Sequence, residues 1–344
     1  MTYHPYLNAD QQSKDTIDAL AAARSALQVL AAPTVDGGKL FVTGYSQGGF
    51  VAMATHRAMQ TAGMSVTAAA PLSGPYALAA FGDAVFGGQV NLSAVPNVVM
   101  LASSYQHAYG NMYTNATDVF AAPYATGIEM LLPGTETVSQ LQSEGKLPSA
   151  LFSSVAPDPS FADLTPATMP ANLAPAFALG FGTPFLIVNS YRLSYLQDAM
   201  ANPDGGFPVA TTGLPAASPG NAFRQALKLN DLRTWSPTAP VLLCAGRSDP
   251  EVFYFNTQLM QNYWTAVAPA APFAVLDVDS APAGASDPYA ALKNAFAIAV
   301  GIVRTDALLK GAKDNGDSAV LSIYHATLVP PFCLSAAKSF FDAH

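Results

Sequence analysis

A serine between two glycines opens the chemical reading of this chain. Gly44, Tyr45, Ser46, Gln47 and Gly48 match G-x-S-x-G. An apolar run over residues 39–45 leads into the motif, and a helix-like pattern leaves it. That setting predicts a sharp strand-to-helix turn with the Ser46 hydroxyl held outward, where the two glycines remove Cβ atoms from a crowded bend. The same turn puts the Gln47 N–H at a helix N-terminus, beside any negative charge that forms next to Ser46. A serine hydroxyl is a weak nucleophile until a base takes its proton, so a histidine must meet it.

The chain has five histidines. His4 precedes the serine, His56 rides away on the helix after the motif, His107 comes before any acid on a returning strand, and His344 is the last residue. Elimination leaves His325, expected in a loop-like stretch over residues 322–331 ahead of the last helix. The acid that orients its imidazole should follow a strand end, in the order Ser, acid, His. Asp249 is the best placed, three residues beyond the apolar run 240–246. Glu251, Asp277 and Asp279 are the alternatives, and these three are read as solvated surface carboxylates. Tyr45, Tyr105 and Tyr109 are candidate substrate-lining residues. The group of Tyr105, His107, Tyr109 and Tyr113 could line an acyl or sugar pocket, but it reads first as amphipathic helix packing.

The elements that must position these groups follow from periodicity. Ile17, Leu20, Ala23, Leu27 and Leu30 lie on one face of a helix over residues 13–30. A strand at 39–45, a helix at 47–61 and a strand at 66–72 form a parallel βαβ unit. Residues 76–235 lose strand character. Helices at 96–109, 118–132 and 185–200 alternate there with Pro- and Gly-rich connectors. Strands return at 240–246 and 272–279, and a helix at 333–341 closes the chain. The expected fold is an α/β-hydrolase fold with a mostly parallel sheet and an inserted helical cap. The expected division is 1–76, 77–235 and 236–344, with the cap over the sheet edge where open α/β folds bind ligands.

Composition narrows the function classes. The chain has 344 residues, 51% of them apolar and only 11% charged, with 27 prolines and 25 glycines. Its net charge of −8 and lack of any Lys/Arg cluster argue against nucleic acid as a partner. The longest uncharged stretch, residues 164–191, holds four prolines and reads as buried cap rather than a membrane span. The first ten residues show no apolar signal-peptide core. Cys244 and Cys333 lack metal-ligand spacing and are either one disulfide or two buried thiols. A bond between them would close a long loop, worth about 4 kcal/mol in the chain-entropy model.

At these residues the chain resembles the secreted bacterial lipases and esterases that include plant-cell-wall-degrading esterases, relatives of the fungal secretory lipases of the Candida antarctica lipase A type. The matching segments are YHPYL at 3–7, TIDALAAAR at 16–24, GYSQGG at 44–49, SGPY at 73–76, NAFRQ at 221–225 and PVLLC at 240–244. The resemblance implies Ser46 as nucleophile, Asp249 as acid and His325 as base. It also implies carboxylic-ester hydrolysis, a cap that shapes substrate choice, and secretion or a periplasmic location; separately, no cofactor and a monomer are expected. In that family several strands precede the YHPYL segment and supply a second oxyanion donor. Only four strands are recognisable here, and loss of such a donor is expected to cost about 10² to 10³ in turnover. A serine peptidase of the same fold, or an inactive truncated hydrolase binding lipid or glycan through its cap, fits the same residues.

Overall fold

The computed structural model describes residues 3–29, 35–284 and 286–344; the end of the first expected helix at Leu30 lies outside them. The chain divides into two compact units: Ala9–Tyr76 with Leu232–His344, and Met1–Asn8 with Ala77–Asp231.

The first unit is built on a four-stranded parallel sheet: β1 (Phe41–Tyr45), β2 (Ala68–Leu72), β3 (Val241–Ala245) and β4 (Phe273–Asp277), in the order β1-β2-β3-β4. Register is set by pairs such as Thr43 with Ala70, Leu72 with Cys244, and Cys244 with Leu276. All five residues of β2 and of β3 are buried, as expected for central parallel strands covered on both faces. Around the sheet lie α1 (Ala9–Val29), α2 (Gln47–Thr61), α3 (Phe255–Val267), α4 (Ala290–Leu309), α5 (Asp317–Ile323) and α6 (Val329–Asp342).

Between α5 and α6 the chain continues as a π-helical turn, Tyr324–Leu328. This corrects the loop expected at 322–331. Pro330 and Pro331 do not interrupt the helix, because they occupy the first turn of α6, where the missing N–H groups cost little. The run Asp317–Asp342 is long and apolar enough by length and composition to cross a membrane. Its apolar face is spent on the core, however. Val320, Tyr324, Leu328, Val329, Cys333, Ala336 and Ala337 are buried at helical spacing against Ala70, Leu72, Leu242, Cys244 and Leu276. Cys244 and Cys333 form a disulfide across that core.

The second unit is helical, with Leu78–Phe86, Ala94–Tyr109, Asn189–Ala201 and Ala222–Leu229 as its longer α-helices among the described residues. Two expected helices are shorter than the pattern suggested. Residues 118–132 break into the short turns Ala116–Asp118, Ala122–Ala125 and Ile128–Met130, with Pro123 in the first turn of the second and Gly127 at φ 73° ahead of the third. Residues 185–187 are extended, bridging Ala150 and Phe120, so the next helix begins at Asn189. Within the uncharged stretch 164–191 the longest helix before that point, Ala174–Leu179, has six residues, too few to span a bilayer.

A buried charge network holds this unit together. Arg224 contacts Asp83 and Asp198 at 2.7 Å each, and Tyr195 donates its hydroxyl to Asp83 at 2.9 Å. Asn221 caps the Ala222–Leu229 helix by accepting from the Phe223 and Arg224 N–H groups. The NAFRQ segment therefore has a structural use, as a capped helix that delivers a buried arginine.

Candidate active site

Ser46 stands between β1 and α2 at φ 59°, ψ −123°, a left-handed conformation that a non-glycine residue adopts only when its surroundings hold it there. The holding contacts are visible. The Ser46 N–H donates to the Leu72 carbonyl at 3.0 Å, while the Ser46 carbonyl accepts from Gly49 and Phe50 at 2.9 and 3.2 Å. The glycine requirement differs from the one expected of the motif. A Cβ on Gly44 would sit 2.2 Å from the Gly48 carbonyl oxygen, and one on Gly49 would sit 2.3 Å from the Leu72 carbonyl oxygen. A Cβ on Gly48 would meet nothing within 4 Å. The sterically demanding pair is Gly44 and Gly49: the first turn of α2 folds back onto Gly44, and α2 leaves directly across the end of β2 at Gly49.

The π-helical turn brings His325 to this point. Its Nε2 lies 2.7 Å from Ser46 Oγ, and its Nδ1 lies 2.7 Å from Asp249 Oδ2. Asp249 is fully buried. Its other oxygen accepts the N–H groups of Glu251 at 2.9 Å and Val252 at 3.0 Å, which aims Oδ2 at the imidazole. Burial pulls the His325 pKa down, but the charge and hydrogen bond of Asp249, with Glu251 behind it, outweigh burial and leave it above the ordinary histidine value. Chemically, this is a hydroxyl in contact with a base whose far nitrogen is pinned by a carboxylate. Proton transfer from Ser46 to Nε2 is geometrically open.

The Gln47 backbone begins α2, next to Ser46, so its N–H belongs to the positive end of that helix. Tyr45 donates its hydroxyl to the His325 carbonyl at 2.6 Å, and the two rings lie 5.0 Å apart. The phenol thus anchors the π-helical turn.

Tyr105 and Tyr109 belong to the helical unit. Tyr105 is fully buried and donates to the Leu7 carbonyl at 3.1 Å; Tyr109 is 36% exposed and its hydroxyl accepts from Asn230 at 2.9 Å. The remaining histidines have other surroundings. His56 lies buried beside Trp235 with its pKa pulled to about 4 by burial, and His107 pairs with Glu129 at 3.4 Å.

The carboxylates read as solvated surface groups are not all so. Asp277 is buried and ion-paired with Arg247, and burial raises its pKa. Asp279 accepts the N–H groups of Arg247 and Ser248 at 2.7 and 3.0 Å, and the Tyr324 hydroxyl as well. Sequence reasoning missed this cluster because an Asp at a strand end is usually solvated. A tyrosine immediately before the candidate histidine was the one local signal.

No family model and no curated protein matches the chain's sequence. Solved structures do match. The rice cell wall degrading esterase LipA from Xanthomonas oryzae is 27% identical, over 90% of this chain and 68% of that one, with a TM-score of 0.59. A single-site mutant of LipA matches at 28% identity with the same coverage and TM-score. A Legionella pneumophila protein at 20% identity, covering 81% of this chain and 59% of that one with a TM-score of 0.56, shares the fold. The likeness to LipA supports a bacterial hydrolase of the esterase kind.

Proposed function

We propose that this chain hydrolyses carboxylic esters through Ser46, His325 and Asp249. The observation that carries the reading is the pair of 2.7 Å contacts on the two ring nitrogens of His325, to a hydroxyl on one side and a buried carboxylate on the other. Ser46 Oγ attacks the ester carbonyl carbon while Nε2 takes its proton. Charge on the carbonyl oxygen is met by the Gln47 N–H, where the α2 dipole adds to the hydrogen bond. The C–O bond to the alcohol then breaks, and His325 returns the proton to the leaving oxygen. The acyl group remains on Ser46. Water, deprotonated in turn by His325, attacks the acyl carbon; the bond to Ser46 Oγ breaks, His325 returns the proton to Oγ, and the acid is released. Asp249 keeps the ring in the tautomer that leaves Nε2 free to accept, and stabilises the imidazolium.

By its likeness to LipA, the substrate proposed is a small-molecule ester, including esters of cell-wall material. The Cys244–Cys333 disulfide fits an oxidising compartment, so a periplasmic or extracellular location is proposed with it. A fluorophosphonate probe should label Ser46, and Ser46→Ala should abolish turnover of a p-nitrophenyl short-chain ester. Labelling of a different serine, or turnover unchanged in the variant, would overturn the assignment. Running amide substrates beside the esters tests the peptidase reading in the same experiment.

A further inference from the structure

Within the triad, a single contact, Asp249 Oδ2 to His325 Nδ1 at 2.7 Å, joins the loop that carries Asp249 to the turn that carries His325. Each has its own anchors. Asp249 is held by the Glu251 and Val252 N–H groups, and the His325 backbone is held by the Tyr45 hydroxyl. Apart from the Asp249–His325 contact itself, two side chains bridge the two: Tyr324, whose hydroxyl accepts the Ser248 N–H at a long 3.4 Å, and Asp279, which makes the shorter contacts. Asp279 lies two residues beyond β4. Its Oδ1 accepts the Arg247 N–H at 2.7 Å, and its Oδ2 accepts the Ser248 N–H at 3.0 Å, so it grips the two residues directly before Asp249. The same Oδ2 accepts the hydroxyl of Tyr324, the residue directly before His325.

We propose that Asp279 is a positioning residue that sets the Asp249–His325 spacing, with the Tyr324 hydroxyl as its second arm. This rests on the hydrolase reading of the site and deepens it.

Three further contacts favour a fixed link over an incidental one. Tyr324 is 2% exposed, and its ring meets Phe296 edge-on at 5.8 Å, so the hydroxyl has little freedom to move. The loop lies on that hydroxyl: a Cβ on Gly246 would sit 2.3 Å from the Tyr324 oxygen. Finally, Asp279 is kept ionised and able to accept. Burial disfavours its charge, but hydrogen bonds from the Asp277 side chain, the Tyr324 hydroxyl and the two N–H groups outweigh burial and hold its pKa below the usual carboxylate range. Asp277, Arg247, Tyr324 and Tyr254 are the ionisable groups that face it. A carboxylate has four lone-pair sites, and three are used here to tie two loops together.

The test compares Asp279→Asn and Tyr324→Phe with the unaltered chain. An amide at 279 places an NH₂ where one of the donors must be accepted, and phenylalanine at 324 removes a single oxygen from a ring that stays packed. The expected result is a fall in kcat of about tenfold or more, KM within about twofold, and smaller losses for Tyr324→Phe. The double variant should lose less than the product of the two single effects. His325 is held above its ordinary pKa by Asp249, so loosening that contact should also move the acidic limb of kcat/KM to lower pH. An NMR titration of the His325 ring should report the same displacement independently of turnover.

Variants that remain folded, with kcat and the His325 titration unchanged, would overturn the proposal. So would a loss of activity that follows only the fraction of folded enzyme. If Asp279→Asn does not fold, Tyr324→Phe decides alone. If Ser46 proves unreactive in the unaltered chain, the hydrolase reading fails. The ring titration still answers whether Asp279 controls the contact.

Discussion

A buried imidazole beside a buried carboxylate is pulled in two directions, and which pull wins decides how the site should respond to pH. Burial alone would lower the His325 pKa, as it does for His56, which lacks a carboxylate of this kind and sits near 4. At His325 the Asp249 contact reverses the sign. Proton abstraction needs the neutral ring, so kcat/KM should rise with pH along a limb placed above the ordinary histidine value of 6.5. Replacing Asp249 by Asn removes the charge that raises the pKa and the acceptor that fixes the tautomer. The limb should then move below 6.5 and kcat should fall by about 10³ to 10⁴. A pH–rate series on both proteins checks this, and a limb that stays in place on loss of Asp249 would contradict the electrostatic account.

At the scale of the element, the turn between β1 and α2 converts glycines into geometry. Gly44 and Gly49 let the turn close and α2 cross the end of β2, while Gly48 faces open space. Gly44→Ala and Gly49→Ala should each reduce fluorophosphonate labelling by about 10² or more, because the Ser46 backbone must shift to relieve a backbone collision. Gly48→Ala should stay within a few-fold of the parent, roughly the change expected where no contact is disturbed. Equal sensitivity at 44 and 48 would show that the packing argument is wrong. The π-helical turn at Tyr324–Leu328 works in the same way. Its wider winding resets the helix between α5 and α6, so that Tyr324 and His325 are both buried, reaching Asp279 and Ser46 respectively.

For the molecule as a whole, the disulfide matters more than its single bond suggests. Cys244 and Cys333, 89 residues apart, join the strand before Asp249 to the helix after His325. Reducing it should destabilise the sheet unit by about 4 kcal/mol through the entropy returned to the unfolded chain. Urea unfolding with and without reductant measures that difference, and coincident curves would contradict it. The helical unit draws on a different source, the pairing of Arg224 with Asp83 and Asp198. Burial works against Asp198's charge, but N–H groups from Asn221 and Gly220 together with Arg224 and Asn202 outweigh it and depress its pKa to about 2.

What was legible without coordinates was whatever depends on chain neighbours. Ser46 could be singled out because strand, turn and helix around it are adjacent in sequence, and the four strands because each carries its own apolar run. His325 followed from scarcity, since four other histidines had reasons against them. The rest is decided by residues far apart along the chain. That the turn requires a glycine at 49 depends on Leu72, 23 positions beyond it. Whether Asp279 is solvated or clamped depends on Tyr324, 45 positions away. The reading of a loop at 322–331 failed for a related reason, as prolines that end an isolated helix are harmless just after a π-helical turn. Local sequence specifies which groups can do chemistry; only packing decides the ångström separations at which they do it, because those distances are set by contacts the backbone reaches after closing long loops.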